Sequence, residues 1–415
     1  MMSGGGIQRP LSQESHFEIY LQEAAYSCFQ RNEPQLTETM INTFREKCKE
    51  LELDKDLVID KYLTGNNALQ GLEVLIYHAS NYVVRVLSLA PPGGKLSKQI
   101  LDNMKEPRFR AIRNSVIKIL ATSNPQMLMT YSESFIASAP LVPDKVNDGV
   151  LIDNLLQVIE SSNRNEHFIS LVGKRLSKKK NWRLSNGALL KVLTTILMCE
   201  KVCPTRLHLD FQNSCVGPAP SGLLGALDII VQRNLTLWLD LPWGTQGSQG
   251  CAPSAAHDVL IGALRRKGAK ATLERLTASI GATAVMFLPS KLTHLSLQLD
   301  AIALKHFVGH IPNMPDLRSL SLRIPSCSAV PSNLPRLIFK GDLFVLHLAD
   351  ANDEHLEGLQ DLARLCYSTG WYRQVHLEAS MLTRSGIDKL SNYLYQNKAF
   401  YDQVIVTVIP QVTDL

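Results

Sequence analysis

The stretch that decides the fold reads LTHLSL at residues 292–297, and its pattern L-x-x-L-x-L returns as LRSLSL at 317–322 and LFVLHL at 343–348. Alternation of leucine with other residues is typical of a β-strand with one buried face. The second leucines, at positions 295, 320 and 346, are 25 and 26 residues apart. Each interval has room for a helix, so the pattern predicts an α/β fold with evenly spaced parallel strands.

Looser copies extend this pattern in both directions. They are Leu207/Leu209 and Leu235/Leu237 upstream, and Val375/Leu377 and Val404/Val406 downstream. The interval from 235 to 295 is long enough for two repeats. We therefore predict either a further strand at 284–288 or an insertion at 243–256.

Residues 204–410, about half of the chain, resemble the leucine-rich repeat family, whose repeats have this length. The stretch from Val375 to Leu390 looks most like the long repeats of ribonuclease-inhibitor type. The resemblance implies a curved solenoid with a parallel sheet on its concave side and helices outside. The family usually places Asn after each strand, and here those positions hold Asp300, Pro325, Ala351 and Ser380. The repeats are therefore degenerate, and an ordinary α/β domain with evenly spaced strands remains the alternative.

The N-terminal half has a different periodicity. Apolar residues there recur at helical spacing, as in the face formed by Phe17, Leu21, Ala24 and Cys28. This pattern continues to about residue 201 and predicts an all-α domain. We accordingly predict a flexible N-terminus at 1–14, an α-helical domain at 15–203 and a repeat domain at 204–415.

The strands of the repeat domain predict a binding face. In L-x-L the leucines point into the core, so the flanking residues point to the opposite face of the sheet. Such rows form the extended binding surfaces of solenoids. The predicted partner-binding residues are Arg206, His208, His294, Ser296, Gln298, Ser321, Arg323, His347, Gln374, His376 and Glu378.

His347 and His376 are predicted at equivalent positions of adjacent repeats, about 5 Å apart. Two imidazoles so placed suit a shared metal ion or a pH-sensitive patch. The alternative is a pair of solvated surface histidines, and the sequence offers no third ligand.

A basic segment lies just before the predicted domain junction. Its charged residues are Lys174, Arg175, Lys178, Lys179, Lys180 and Arg183. Such a segment fits a nuclear localisation signal or a phosphate-binding patch. The alternative is a solvated helix end, with Trp182 as a hydrophobic anchor between domains rather than a base-stacking residue.

The other sequence motifs indicate no catalytic or ligand-binding site. Gly93-Gly94-Lys95 lacks the phosphate-loop spacing and predicts a turn. The acidic cluster of Asp350, Asp353, Glu354 and Glu357 fits a helix N-terminus better than a cation site. The eight cysteines form no known zinc module and are expected to be buried free thiols. No catalytic signature is readable, so we expect no cofactor, no metal and no enzymatic activity.

These observations favour a non-enzymatic scaffold or adaptor that binds a protein partner on the concave face. A nucleus-directed or nucleic-acid-associated regulator using residues 174–183 is an alternative, and a bacterial effector-type protein acting on host proteins is another. The net charge of +5 is too small to indicate nucleic acid by itself. No stretch is apolar enough to span a membrane. We expect the protein in the cytoplasm or nucleus, with its oligomeric state open.

Overall fold

The protein has an α/β fold. The computed structural model describes residues 13–32, 38–50, 72–139, 142–143, 150–199, 202–212, 220–242, 257–258, 260–262, 273–324, 341, 343–348, 353, 374–379, 383–396 and 404–408. The α/β class predicted from the sequence is confirmed for these residues. The predicted flexible segment 1–14 lies outside them, except that the first helix already begins at Gln13.

The chain divides into two compact units. The first comprises Met1–Leu141 and Asn154–Arg175, and the second comprises Val142–Asp153 and Leu176–Leu415. This division differs from the predicted boundary after residue 203. The difference arises because a strand at Asn181–Leu184 already belongs to the sheet of the second unit. That strand has only two apolar residues, Trp182 and Leu184, which is too short a pattern to stand out among helices.

The elements that the structure describes in the first unit are helical. The α-helices are α1 (Gln13–Arg31), α2 (Glu38–Glu50), α3 (Leu72–Leu89), α4 (Lys95–Asn103), α5 (Arg110–Ser123), α6 (Pro125–Thr130), α7 (Ser132–Ala137), α8 (Asp153–Ser161) and α9 (Glu166–Leu176). A 3₁₀ turn, Pro107–Phe109, precedes α5.

Helices α1, α3 and α5 form the core of this unit. Helix α3 packs against both α1 and α5. Its Tyr82 ring stacks on Tyr26 of α1 at 5.0 Å between centroids. The residues between α3 and α4 form a turn, in which the Gly94 amide donates to Pro91 O at 3.0 Å and Gly93 has a φ of 81°. A positive φ suits glycine, and it explains why this Gly-rich stretch ends a helix.

The second unit contains the sheet. Its described strands are β1 (Val142–Pro143), β2 (Val150–Leu151), β3 (Asn181–Leu184), β4 (Arg206–Asp210), β5 (Thr236–Asp240), β6 (Leu273–Ser279), β7 (His294–Gln298), β8 (Ser319–Ile324), β9 (Leu343–Leu348), β10 (Gln374–Ala379) and β11 (Val404–Val408). They pair strictly in sequence order. The first pair is antiparallel and every later pair is parallel.

In the described part of the chain, helices connect several pairs of successive parallel strands. Those described are α10 (Leu190–Met198), α11 (Pro220–Gln232), α12 (Ala282–Val285), α13 (Ala301–His310) and α14 (Arg384–Gln396). Two 3₁₀ turns, Gly187–Leu189 and Ile311–Asn313, adjoin α10 and α13. Crossovers between parallel strands are right-handed, so successive helices lie on the same face of the sheet. Accordingly, α10 packs against α11 and α12 packs against α13.

The strand leucines form the core under these helices. Leu209, Leu239, Leu276, Leu295 and Leu320 occupy neighbouring positions across β4 to β8, and each is at most 2% exposed. Burial of such a row removes a continuous apolar surface from water, which stabilises the packing of these strands against the helices. The alternating pattern thus identifies the buried side of these strands.

The register corrects three details of the sequence interpretation. The strand after β5 is β6 at Leu273–Ser279, and the first two residues of the predicted 284–288 strand belong instead to helix α12 (Ala282–Val285). Leu346 pairs with Leu322 rather than with Leu320. Apolar alternation has a period of two residues, so it cannot exclude a shift of the pairing by two.

Asp300 follows β7 at the position where the family usually has Asn. Its Oδ1 accepts a hydrogen bond from the Ala303 amide at 2.7 Å and caps the N-terminus of α13. Such a cap contributes about 1 kcal/mol to stability. The equivalent predicted positions Pro325, Ala351 and Ser380 lie outside the described residues.

Candidate functional site

The predicted partner-binding residues occupy one face of the sheet in β4, β7 and β8. Arg206, Ser296, Ser321 and Arg323 are half-buried there, and His294 is exposed. The structure places them in cross-strand rows, because Ser296 pairs with Ser321 and His294 with Ser319. These residues form a polar surface on the side of the sheet opposite the leucine core.

Two predicted members of this surface are buried instead. His208 is 6% exposed and Gln298 is 2% exposed. His208 is covered because it bonds with Asp240 and lies edge-on to the Trp238 ring. Gln298 is at the last position of β7, between Ser279 and Arg323 in the register. Both are therefore corrected from contact residues to internal polar residues.

The side chains of His347, Gln374, His376 and Glu378 lie outside the described residues, but their backbone register is defined. His376 pairs with Val345, and His347 pairs with Glu378. The two histidines are therefore not at equivalent positions, because β10 is shifted by two residues from the pairing that would place His376 beside His347. The register therefore removes the predicted spacing of about 5 Å on which the shared metal ion or pH-sensitive patch was based.

Among the residues that the structure describes on this sheet, a highly connected polar group is centred on Asp240, which is 1% exposed. Its Oδ2 lies 2.7 Å from His208 Nε2. Its Oδ1 accepts hydrogen bonds from Arg275 Nε at 3.1 Å and from Thr277 Oγ1 at 2.5 Å. We call these four residues the Asp240 network. It joins three adjacent strands, β4, β5 and β6, through one carboxylate.

Burial and bonding act in opposite directions on this carboxylate. Burial by itself would raise the pKa of Asp240, because desolvation disfavours the charged form. The hydrogen bond from His208, the charge of Arg275 and the hydroxyl of Thr277 outweigh burial, so the pKa lies below its ordinary value. The network therefore holds Asp240 as an anion inside the protein.

Arg183 and Asp210 form a second charge pair beside this network. Arg183 Nη2 donates to Asp210 Oδ2 at 2.6 Å, and Asp210 Oδ1 also accepts from the Gln212 amide at 3.3 Å. Arg183 was predicted as part of the basic segment. The structure places it on the sheet with an acidic partner, so it is not an open phosphate ligand.

An aromatic residue that the sequence analysis did not single out stands between two arginines. The guanidinium of Arg206 lies 4.4 Å from the Trp238 ring centroid, and that of Arg275 lies 5.7 Å from it. Trp238 Nε1 donates to Glu274 Oε2 at 2.7 Å. We call Arg206, Trp238 and Arg275 the Trp238 stack. Arginine and tryptophan are the residue types most enriched at binding hot spots.

His208, Asp210 and Asp240 also have the residue types of a metal site. Each offers one ligand atom within 4.8 Å of the other two. However, Arg183 already bonds with Asp210, and Arg275 and Thr277 bond with Asp240. A divalent cation would have to displace these guanidinium groups. The cluster is better explained as a charge-compensated network that holds neighbouring strands together.

The remaining residues of the basic segment have varied surroundings. Lys174, Lys178, Lys179 and Lys180 are exposed. Arg175 is half-buried and donates to the Ile136 carbonyl at the end of α7. Trp182 is 1% exposed, and its Nε1 donates to Lys179 O at 3.1 Å, so its ring belongs to the core rather than to a base-stacking surface.

One serine–histidine contact in the first unit resembles part of a catalytic pair. Ser132 Oγ lies 3.1 Å from His167 Nε2. The same hydroxyl donates its proton to Met129 O at 2.8 Å. The bond to the carbonyl competes with one to the imidazole for the same hydroxyl hydrogen, unlike a nucleophile whose proton is held by its general base. This contact therefore gives no basis for nucleophilic catalysis.

The cysteines that the structure describes are free thiols. Cys28 and Cys48 are buried, as predicted, whereas Cys199 is half-buried and Cys203 is exposed. The expectation of burial is therefore wrong for Cys203.

Within the predicted acidic cluster, Asp353 accepts from the Thr383 amide at 2.9 Å ahead of α14. Asp350, Glu354 and Glu357 lie outside the described residues.

The residues missed by sequence reasoning carried a weak signal. The β4 sequence RLHLD (206–210) and the β5 sequence TLWLD (236–240) align without gaps, and both end in Asp. This similarity would have placed Trp238 beside His208 and Asp240 beside Asp210. Arg275 and Thr277 had no such signal, because the β6 sequence does not repeat the pattern.

Buried His257 is expected to make the stability of the second unit depend on pH. Its Nδ1 lies 3.2 Å from the Ser279 amide nitrogen and 3.1 Å from its carbonyl oxygen. Burial lowers the pKa of His257, although the Ser279 contact and Asp258 oppose this effect. The unfolded chain therefore binds more protons between the lowered pKa and about 6.5.

We expect the free energy of unfolding to fall as pH decreases from 7 through this window. His257→Gln should reduce that slope, because the titrating group is removed. Urea denaturation at a series of pH values measures it. An identical slope in the variant would show that His257 does not carry the effect. His78 and His310, whose pKa values burial also lowers, leave a residual slope.

Comparison with known proteins gives no identity for the chain. No model of a known protein family matches it. No curated protein matches it either. Among the helices of the described residues, none is long and apolar enough to cross a membrane.

Proposed function

We propose that the second unit is a degenerate leucine-rich-repeat-like solenoid and that the protein acts as a non-enzymatic scaffold or adaptor. Its partner protein would bind on the polar face of the sheet. The observation that carries this proposal is the strict sequence order of the parallel strands from β2 to β11. A solenoid needs this order, because each repeat contacts only its neighbours.

The same strand order argues against the usual α/β enzyme architecture. Doubly wound sheets bind ligands where the strand order reverses, and they cover both faces with helices. The described strands have no reversal. One face holds the leucine core, and the other presents half-buried side chains such as Arg206, Trp238, Ser296 and Ser321. A long polar face of this kind suits recognition of another protein.

Nucleic-acid or nuclear targeting through the basic segment is a second candidate. The exposed lysines at 178, 179 and 180 support it. It is less favoured because Arg175 donates to a backbone carbonyl and Arg183 is paired with Asp210. The segment thus offers fewer open guanidinium groups than its sequence suggests.

An obstruction experiment tests the proposed function. Ser296 and Ser321 are adjacent, half-buried and polar, so Ser296→Trp with Ser321→Trp should block the face without entering the leucine core. We expect recovery of specific partners from an extract of the source cells to fall at least tenfold. Ile302→Trp with His306→Trp is the matched control, because both residues are exposed on α13. Equal recovery with both double variants would contradict a binding role for this face.

A further inference from the structure

The two ends of the parallel strands carry opposite charge. Acidic residues follow the strand ends, where Asp210 and Asp240 close β4 and β5 and Asp300 follows β7. Basic residues gather where the strands begin. In the described part of the chain these are Lys178, Lys179, Lys180, Arg206, Arg275, Lys291 and Arg318, which we call the basic edge.

Backbone hydrogen bonds place these residues along one edge. The amides of Thr205 and Arg206 donate to Lys180 O at 2.7 and 3.1 Å, so the lysines adjoin the start of β4. Farther along, the Arg318 amide donates to Thr293 O at 2.8 Å, which brings Arg318 beside the start of β7. The basic edge therefore runs from β3 to β8 through consecutive strands.

The edge is accessible, and two of its arginines have acidic partners: Arg206 Nη2 lies 3.7 Å from Glu274 Oε2, and Arg275 donates to Asp240. Lys178, Lys179, Lys180, Lys291 and Arg318 are exposed. The side chains of Arg206 and Arg275 retain 33% and 35% of their accessible surface. The acidic side chains described at the same edge are Glu274, which bonds with Trp238, and Asp316 in the loop before β8.

Histidine electrostatics support this placement. His294 stands in β7 between β6 and β8. Burial is the largest effect and lowers the pKa of His294. The charges of Arg275 and Arg318 lower this pKa further, whereas the charge of Glu274 raises it. Both arginines thus act on the same point of the edge. An added anion there would meet several cations at once.

We propose that the basic edge docks an extended acidic segment of a partner protein. This inference rests on the proposed function and names the chemistry of the partner. Guanidinium groups bind carboxylates with two parallel hydrogen bonds, which favours arginine at such a surface. Five inter-strand spacings of ~4.8 Å separate β3 from β8, a length covered by about seven residues of extended chain.

The surroundings favour carboxylates over a nucleic acid strand. Single-stranded nucleic acids bind where bases stack on free aromatic rings. The Trp238 ring instead has the guanidinium groups of Arg206 and Arg275 against it, and its Nε1 is bonded to Glu274.

Fluorescence anisotropy with the full chain tests this inference. The probes are a labelled eight-residue peptide of alternating Glu and Ser, the same peptide with Gln in place of Glu, and a ten-nucleotide oligouridine. We expect the Glu peptide to bind at least tenfold more tightly than the Gln peptide, and its affinity to fall with added salt. Arg206→Glu with Arg318→Glu should weaken binding at least tenfold. Lys178→Glu with Lys179→Glu, at two exposed sites, should weaken it in the same direction without a risk to folding.

Lys191→Glu with Lys305→Glu is the matched control, since it makes the same charge change on exposed positions of α10 and α13. If the control variant loses as much affinity for the Glu peptide as the edge variants do, the effect is one of net charge alone and the inference is overturned. If oligouridine binds more tightly than the Glu peptide and this binding is lost in the same edge variants, the basic edge is a nucleic-acid site instead. If the Glu peptide fails to bind while the Ser296→Trp, Ser321→Trp variant still loses its partners, the acidic partner is wrong and the binding face stands. If the Glu peptide fails to bind and the Ser296→Trp, Ser321→Trp variant keeps its partners, the acidic partner and the binding face are both contradicted.

Discussion

Asp240→Ala is expected to lower the free energy of unfolding by roughly 3–5 kcal/mol, the usual cost of breaking a buried charge pair. The carboxylate is 1% exposed and accepts from His208, Arg275 and Thr277 on two neighbouring strands. Alanine leaves His208 and Thr277, which are both buried, without their acceptor. Urea denaturation followed by circular dichroism at pH 7 measures the loss. Asp316→Ala, at an exposed acid, should change stability by no more than about 0.5 kcal/mol.

The pH dependence of the same pair of proteins gives a second check on Asp240. Its pKa is lowered in the folded state, so its contribution is present above the unfolded value of about 3.9 and is lost as pH falls through the folded pKa. The difference between wild type and Asp240→Ala should therefore shrink below pH 4. A loss under about 1 kcal/mol at pH 7, or a difference that does not change in acid, would contradict the network.

Trp182→Ala should destabilise the protein by about 3–5 kcal/mol, because it removes a large buried ring from the core. Trp182 is 1% exposed and pairs with Leu207 of β4 on one side and with Val150 of β2 on the other. Its indole N–H also bonds to Lys179 O. The substitution thus removes both apolar packing and the contact that closes the turn before β3. Chemical denaturation by urea measures this change.

Trp238→Ala is the matched control for this prediction. Trp238 is half-buried on the polar face, where it contacts Arg206 and Arg275. Its removal should cost clearly less stability than the removal of Trp182, since less apolar surface is lost from a packed core. Equal losses from the two substitutions would show that β3 is not an integral part of the sheet.

The buried side of the sheet was predictable from the sequence, because leucine alternation depends only on local spacing. Leu295, Leu297, Leu320 and Leu322 are all buried where the L-x-L pattern placed them. The pairing register was not predictable. A shift of two residues preserves every alternation, and only the packing of the intervening connections sets which leucines meet. Leu346 therefore pairs with Leu322, and His347 does not align with His376.

The candidate site was only partly predictable for the same reason. Arg206, Ser296 and Ser321 were identified because they flank leucines in recognisable strands. Asp240 and Arg275 are 35 residues apart and meet only across paired strands. Burial of His208 likewise depends on a carboxylate from another strand, so no local pattern could show it. Short strands such as β3 carry too few apolar residues to be separated from helices.

The most direct test of the central claim is to locate the partner-contacting surface by photo-cross-linking. A photoreactive amino acid is placed at the position of Ser321 on the polar face, or at the exposed position of His306 on α13. Both proteins are irradiated in an extract of the source cells, and adducts are identified by mass spectrometry. We predict specific protein adducts from the Ser321 position that the His306 position does not give. The same adducts from His306, with none from Ser321, would contradict the account.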